Sequence, residues 1–289
     1  MIKIALCLSG QPRFYKAGYE QIKTNLIDRY NIEDVFCHFW WNPETNDQGG
    51  LASWNYSHYG GSKPYLTSNN LLEDLTQLYS PKHISYDYPR HIVDINLQKL
   101  NDYKEEYIAR HESGEIFYLK DYDIKYQNWV YNHLKSMFES IYIVNQYKKD
   151  YENLINQKYD LVIRTRYDIG FNSPKQFPSL KVLTNKLKEN PKNYYRDWTD
   201  LWMFPSQIHN LVVDGMWNNF DRLFKYITSP NFINPFPWIR LQASAEHLYL
   251  ARLIELGLYP YFDNELKTEL GIFKSNESTF NIKGGFNTK

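Results

Sequence analysis

The sequence predicts an α/β protein whose mainly parallel sheet is flanked by helices, and three observations carry that prediction. An apolar run at Ile2 to Leu8, a segment with helical spacing from about Tyr15 to Tyr30 and a second apolar run at Asp34 to Trp40 follow one another closely. That is a β-α-β unit, which pairs its strands in parallel through a crossover helix. Further on, Leu161, Val162 and Ile163 form a short continuous apolar run of the kind buried on both faces of a sheet. Between these parts, apolar residues recur every three or four positions from Asn128 to Lys158, the spacing of a long amphipathic helix or of two in succession.

Each element has a local reason. Ser9-Gly10-Gln11-Pro12-Arg13 stops the first strand with turn-forming residues, and the helix after it points Tyr19, Ile22, Leu26 and Ile27 to one side. Residues 42–63 are polar, carry Gly49-Gly50, Gly60-Gly61, Trp54, Tyr56 and Tyr59, and read as a mobile loop that closes over a ligand. His83 to Tyr86 adds a short strand, and Asp94 to Asp121 is too charged and mixed to assign. The long helix shows Val130, Leu134, Met137, Phe138, Ile141, Val144, Tyr147, Tyr151 and Leu154 before feeding a strand that starts at Tyr159. Later come a strand at Leu201 to Phe204, a helix from about Asn210 to Tyr226, and a helix from about Ser244 to Leu256 closed by Gly257. No Gly/Ser-rich or Pro-rich linker divides the chain, so one domain over 1–289 is expected, with 259–289 as a C-terminal extension.

Charge and composition exclude some functions. Lys plus Arg and Asp plus Glu are both 33, so the formal net charge is zero and no basic face for nucleic acid is expected. Anion binding should therefore be local. Aromatics are 17% of the residues, and such rings can line a sugar-binding cleft, although a codon bias toward Tyr, Asn, Ile and Lys gives the same composition. Cys7 and Cys37 sit inside apolar runs and read as buried, reduced thiols. No apolar span long enough for a transmembrane segment occurs, and the opening residues are too short for a signal peptide, so a cytoplasmic protein is expected.

The chemistry concentrates where the strand that starts at Tyr159 ends. Arg164, Arg166 and Asp168 follow the apolar run, and unpaired ions cannot enter a core without a large cost. They are expected to emerge in solvent at the carboxyl edge of the sheet, where open α/β folds place ligands. Two guanidiniums beside a carboxylate suit a phosphate-bearing substrate, with or without a metal ion; a surface ion-pair cluster is the plainer alternative. Ser9, Gly10, Gln11 and Arg13 lie at the end of the first strand, where a glycine lets the backbone approach a ligand; here the plainer alternative is a tight turn. Asp200, ahead of Leu201, and Glu246, in the first turn of the last long helix, are candidate general bases, though Glu246 also suits the helix dipole. No G-x-G-x-x-G, G-x-x-x-x-G-K-[ST], H-E-x-x-H or C-x-x-C is present, so dinucleotide, P-loop and zinc chemistry have no sequence warrant.

The opening strand ending in Leu-Ser-Gly-Gln-Pro-Arg, the second ending in His-Phe-Trp, the block Lys158 to Asp168, Asp200 before a hydrophobic strand and the late Ala245-Glu246 helix resemble bacterial and viral glycosyltransferases of the GT-A type. The resemblance covers Ile2 to about Leu258. It implies a Rossmann-type sheet with a nucleotide-sugar donor over its carboxyl edge, a glycan or lipid-linked glycan acceptor and a role in surface glycan synthesis. In that family a D-x-D motif holds a divalent cation on the diphosphate; here Arg166-Tyr167-Asp168 occupies its place. The resemblance therefore implies Mn²⁺ or Mg²⁺ at Asp168, with an arginine in place of the first aspartate. It assigns donor contacts to Ser9, Gly10, Gln11, Arg13, Arg164, Arg166 and Asp168. If the reaction inverts configuration, Glu246 or Asp200 takes the acceptor's proton. Two other classes compete: a non-catalytic carbohydrate-binding or nucleotide-sugar-binding module, and a phosphate-ester hydrolase or nucleotidyltransferase. The last two would want clustered aspartates for two metals.

Overall fold

In the computed structural model the apolar runs become strands of one sheet whose centre is the first strand of the chain. The structure describes residues 2–44, 68–89, 124–171, 178–189, 195–197, 201–227, 245–258, 270–273 and 280–282. Strand β1 is Ile4–Gly10, and helix α1 runs over Tyr15–Ile22, through a π-helical turn at Lys23–Ile27, to Asp28–Tyr30. Strand β2 is Asp34–Trp40, helix α2 Leu71–Tyr79 and strand β3 His83–Asp87. The long helix α3 is Ile124–Leu154, followed by β4 at Leu161–Thr165 and β5 at Ile169–Phe171. Then come α4 at Leu180–Glu189, β6 at Tyr195–Asp197 and β7 at Leu201–Phe204. The rest comprises α5 at Ser206–Asn218, α6 at Phe220–Ile227, α7 at Ala245–Glu255, β8 at Leu270–Phe273 and β9 at Phe280–Ile282.

The predicted α/β class holds. A six-stranded sheet has the order β3-β2-β1-β4-β7-β6, and a three-stranded sheet has the order β5-β8-β9. Strands β3, β2, β1 and β4 are parallel, while β7 runs antiparallel to both β4 and β6. The chain builds outward from β1 to β2 and β3, then returns through α3 to place β4 on the other side of β1. Strand order thus reverses between β1 and β4, the kind of point where open α/β sheets bind ligands.

Compact packing divides the chain into two units: Met1–Pro89, Ser140–Leu211 and Pro260–Lys289 form the first, Arg90–Glu139 and Val212–Tyr259 the second. In the first unit the two-residue period of the strands sorts their side chains onto two faces. Ile4, Leu6 and Leu8 of β1 join Val35, Cys37 and Phe39 of β2 and Leu161 and Ile163 of β4 under Tyr15, Ile22 and Leu26 of α1. Ala5 and Cys7 face the other way with Phe36 and Val162, against Val144 of α3. Burying both faces explains why these strands read as continuous apolar runs rather than alternating ones. Both thiols are free and fully buried, on opposite faces of the sheet.

In the second unit Tyr131 of α3 sets its ring edge-on to Phe220 and Phe224 of α6, at 5.2 and 5.0 Å between centroids. Lys135 lies over the Tyr131 and Phe220 rings and pairs with Asp221 at 3.2 Å.

Several boundaries moved. The long helix ends at Leu154 rather than Lys158, because Asn156 takes φ 49° and turns the chain out of it. The single helix expected from Asn210 to Tyr226 is two, broken at Asn219, whose backbone N–H and side-chain amide both donate to the Gly215 carbonyl at 3.1 and 3.0 Å. Of the loop expected at 42–63, residues 45–63 lie outside the described residues, as does all of 259–289 except 270–273 and 280–282. Among the described residues, no helix is long and apolar enough to cross a membrane.

Candidate functional site

The carboxyl ends of β1 and β4 carry a dense set of polar side chains. Strand β1 ends in Gly10 with φ +107°, a left-handed conformation that L side chains rarely adopt. Among the described residues no heavy atom lies within 4 Å of where a Cβ would stand at Gly10, so what favours glycine there is the backbone conformation. Past β4, Tyr167 buries its ring in the α1-side core and points its hydroxyl at the carbonyls of Leu8 and His38, both at 3.3 Å. That anchor pins the turn carrying Arg166 and Asp168 to the ends of β1 and β2.

Asp168 is the centre of the cluster, and its surroundings correct the sequence expectation. It is not in solvent: it is fully buried, gripped side-on by Arg166, with Nε donating to Oδ1 at 2.8 Å and Nη2 to Oδ2 at 2.9 Å. Arg13 approaches the same Oδ2 with Nη2 at 3.2 Å. Two charge-assisted contacts from a planar fork and a third from another guanidinium let a carboxylate sit where solvent does not reach. The side-on grip leaves the outer edge of Arg166, whose side chain is 22% exposed, turned away from the carboxylate.

Arg164 is likewise not at an open edge. It is the fourth residue of β4, only 1% exposed, and its Nε donates to the Ser9 hydroxyl at 3.1 Å. Its guanidinium lies over the Trp202 ring of β7, 5.1 Å from the centroid. An indole face and a hydroxyl replace part of the lost hydration, which is how the cation enters the strand. The expectation of an open edge is corrected because Arg164 follows the apolar run inward with partners waiting for it there.

The guanidiniums of Arg13 and Arg166 meet on the Asp168 carboxylate, and Arg164 reaches Ser9 at the end of β1, so three arginines gather at the switch point. A divalent cation at Asp168 does not fit this arrangement. Both carboxylate oxygens are already taken by guanidiniums, and among the described residues no group of three or more His, Cys, Asp and Glu could hold a metal ion. The chemistry the residues offer is recognition of an anion by arginine forks.

A second polar chain was not anticipated. The Gly10 backbone N–H donates to the Ser140 hydroxyl of α3 at 2.9 Å, Ser140 Oγ meets His38 Nδ1 of β2 at 2.8 Å, and His38 Nε2 lies 3.4 Å from Asp87 Oδ2 at the end of β3. Only the position of Ser140, one turn before Val144 on the sheet-facing side of the helix, hinted that a hydroxyl would reach the strand ends. Gly18 was also passed over: its missing Cβ lets α1 lie directly on the Tyr167 carbonyl.

No protein-family model matches the chain, and no curated protein matches it either.

The remaining sequence candidates divide. Ser9, Gly10, Arg13, Arg164, Arg166 and Asp168 come together in the first unit, with Gln11 in the half-buried turn after β1. Asp200 lies outside the described residues. Glu246 is half-buried in the first turn of α7 and belongs to the second unit. Cys7 and Cys37 offer no nucleophile, since burial pushes each thiol up to about 12.

Proposed function

We propose that the protein is a glycosyltransferase that takes a sugar from a nucleotide-diphosphate donor. The observation that carries this reading is the arginine cluster at the strand-order reversal: Arg166 and Arg13, aimed by one buried carboxylate, beside the glycine turn that ends β1. Oriented guanidiniums neutralise a diphosphate without a metal, and their charge is most useful as the diphosphate departs with the bonding electrons. In the transfer the acceptor oxygen bonds to the anomeric carbon, the carbon–oxygen bond to the diphosphate breaks, and the acceptor's proton passes to a base. Asp168 is not that base, because both its oxygens are engaged. Its role in this reading is to hold two arginines in register rather than to ligate Mn²⁺ or Mg²⁺. The glycan or lipid-linked acceptor, and the choice of Glu246 or Asp200 as base, rest on the resemblance alone.

The test is release of nucleoside diphosphate from a panel of nucleotide sugars with and without EDTA. Release that survives EDTA and is lost in Arg166→Ala supports the reading. Binding of a nucleotide sugar without turnover would instead make the protein a nucleotide-sugar-binding module. Release of inorganic phosphate, dependent on added metal, would favour the hydrolase class and overturn the proposal.

A further inference from the structure

We propose that Ser140 is a positioning residue for the diphosphate-facing turn: it fixes the Gly10 amide from helix α3, and so sets where Ser9 to Arg13 present themselves. The inference rests on the donor-site reading for its purpose, but not for its geometry.

Ser140, His38 and Asp87 have the residue types of a hydrolytic triad, and the structure argues against that use. Ser140 is fully buried and His38 only 1% exposed, so the hydroxyl has no face to offer a substrate. Its oxygen already accepts the Gly10 N–H at 2.9 Å. What the set does instead is join four elements at one point: the end of β1 through Gly10, β2 through His38, β3 through Asp87, and α3 through Ser140 itself. The hydroxyl proton can go to His38 Nδ1 at 2.8 Å or to the His38 carbonyl at 3.3 Å. In either case the Gly10 amide keeps its acceptor. A glycine at φ +107° has wide backbone freedom, so a fixed amide there does more to define the following turn than it would in a strand. Three residues on, Arg13 must reach Asp168 at 3.2 Å, and a turn free to swing at Gly10 would lose that contact.

The experiment compares Ser140→Ala and Ser140→Thr with the unaltered protein by amide hydrogen exchange resolved to single residues, by thermal unfolding, and by titration with inorganic diphosphate. In Ser140→Ala the Gly10 amide is expected to exchange about tenfold faster or more while Leu6 and Leu8 stay protected, the pattern of a local opening. Threonine, which keeps the hydroxyl, restores Gly10 protection. Diphosphate affinity falls about tenfold in the alanine variant and recovers with threonine, the loss expected when an anion site loses its preorganisation. Unchanged Gly10 exchange in Ser140→Ala would overturn the proposal. So would equal acceleration of all β1 amides, which is general loosening, or diphosphate binding as tight as in the unaltered protein. Should Ser140→Thr unfold, His38→Asn replaces it: Gly10 protection within about threefold of the unaltered protein is expected, since Ser140 remains, and loss of protection would assign the hold to His38 instead. If the exchange results come out as expected but the unaltered protein binds no diphosphate, the positioning of the turn stands and the donor-site reading fails.

Discussion

Replacing Gly18 with alanine is the sharpest test of how the site turn is held. A Cβ built there lies 1.8 Å from the Tyr167 carbonyl oxygen, 2.8 Å from its carbon and 3.3 Å from Asp168 Cα, where ordinary contact begins at 3.4 Å. All three atoms are backbone, so no side chain can swing aside. Relief requires α1 and the Tyr167–Asp168 turn to separate by about 1.6 Å, the shortfall between 1.8 and 3.4 Å. Overpacking of this kind costs about 1–3 kcal/mol, and backbone against backbone belongs at the upper end. Alanine in a helix returns roughly 0.5–1 kcal/mol over glycine, so the net loss is about 2 kcal/mol. At roughly 2–4 °C per kcal/mol for a chain of this order of length, the melting temperature should fall by about 4–8 °C. Gly215→Ala in α5 is the control. The three described atoms nearest its Cβ all belong to the Arg252 guanidinium, at 2.1 to 2.2 Å, and that is the far end of a flexible side chain rather than backbone. Circular dichroism melts of the two variants, with a diphosphate titration of each, decide the matter. If Gly18→Ala melts as high as the unaltered protein, or falls no further than Gly215→Ala, the close approach of α1 to the site turn is not what holds it.

Asp168→Ala should destabilise by about 3–5 kcal/mol in urea unfolding, because it breaks a buried ion pair in which two guanidiniums share one carboxylate, and an unchanged midpoint would show that the carboxylate does not hold them. Stability should also depend on pH through two buried imidazoles. Burial depresses His209 well below its ordinary value and lowers His247 from 6.5 to about 4. A base with a depressed folded pKa contributes fully above the unfolded value, so stability is complete above pH 6.5 and is lost as pH falls toward 4. The His247 part is on the order of 2–3 kcal/mol, and His247→Gln should flatten the profile in melts taken across that range. Ser206→Ala removes a hydroxyl that bonds both Lys148 and Glu152, at 2.7 and 2.5 Å, and should cost about 1–3 kcal/mol in chemical unfolding. For the base, Glu246→Gln and Asp200→Asn are compared in steady-state kinetics; the true base loses about 10²–10⁴ in kcat with donor affinity nearly unchanged.

The sheet was legible because burial on both faces writes itself as unbroken apolar runs: β1, β2, β4 and β7 appear in the sequence within two residues of their observed ends. Strands β5, β6, β8 and β9 were not legible. Three or four residues long, they carry no period of their own, and β5 takes its pairing from a distant partner, Ile169 from Ile272. Helix α2 at Leu71–Tyr79 was missed although Leu71, Leu75 and Tyr79 recur every four residues and are buried. The residues of the site were legible as types, but their environment was not. Arg164 reads as a surface cation until Trp202, thirty-eight positions later, is seen under it. Asp168 reads as a metal ligand until Arg13, from the other end of the first unit's sequence, is found on its oxygen.

The turn that carries Asp168 is bounded downstream by β5, and β5 pairs not with the large sheet but with β8, Ile169 against Ile272 and Phe171 against Leu270. Order of synthesis gives this a consequence. Chains emerge from the ribosome at about 5–20 residues per second, N-terminal parts folding first, so β1, β2, β3 and β4 can assemble long before residue 270 exists. The segment from Arg166 to Phe171 can by then be held by Tyr167, by Arg13 and by Gln21 of α1, but the pairing of β5 with β8 waits for the several seconds during which the next hundred residues are made. The residues that hold Asp168 are thus all made before residue 172, and the strand that bounds their turn gains its partner only when Leu270 to Ile272 arrives.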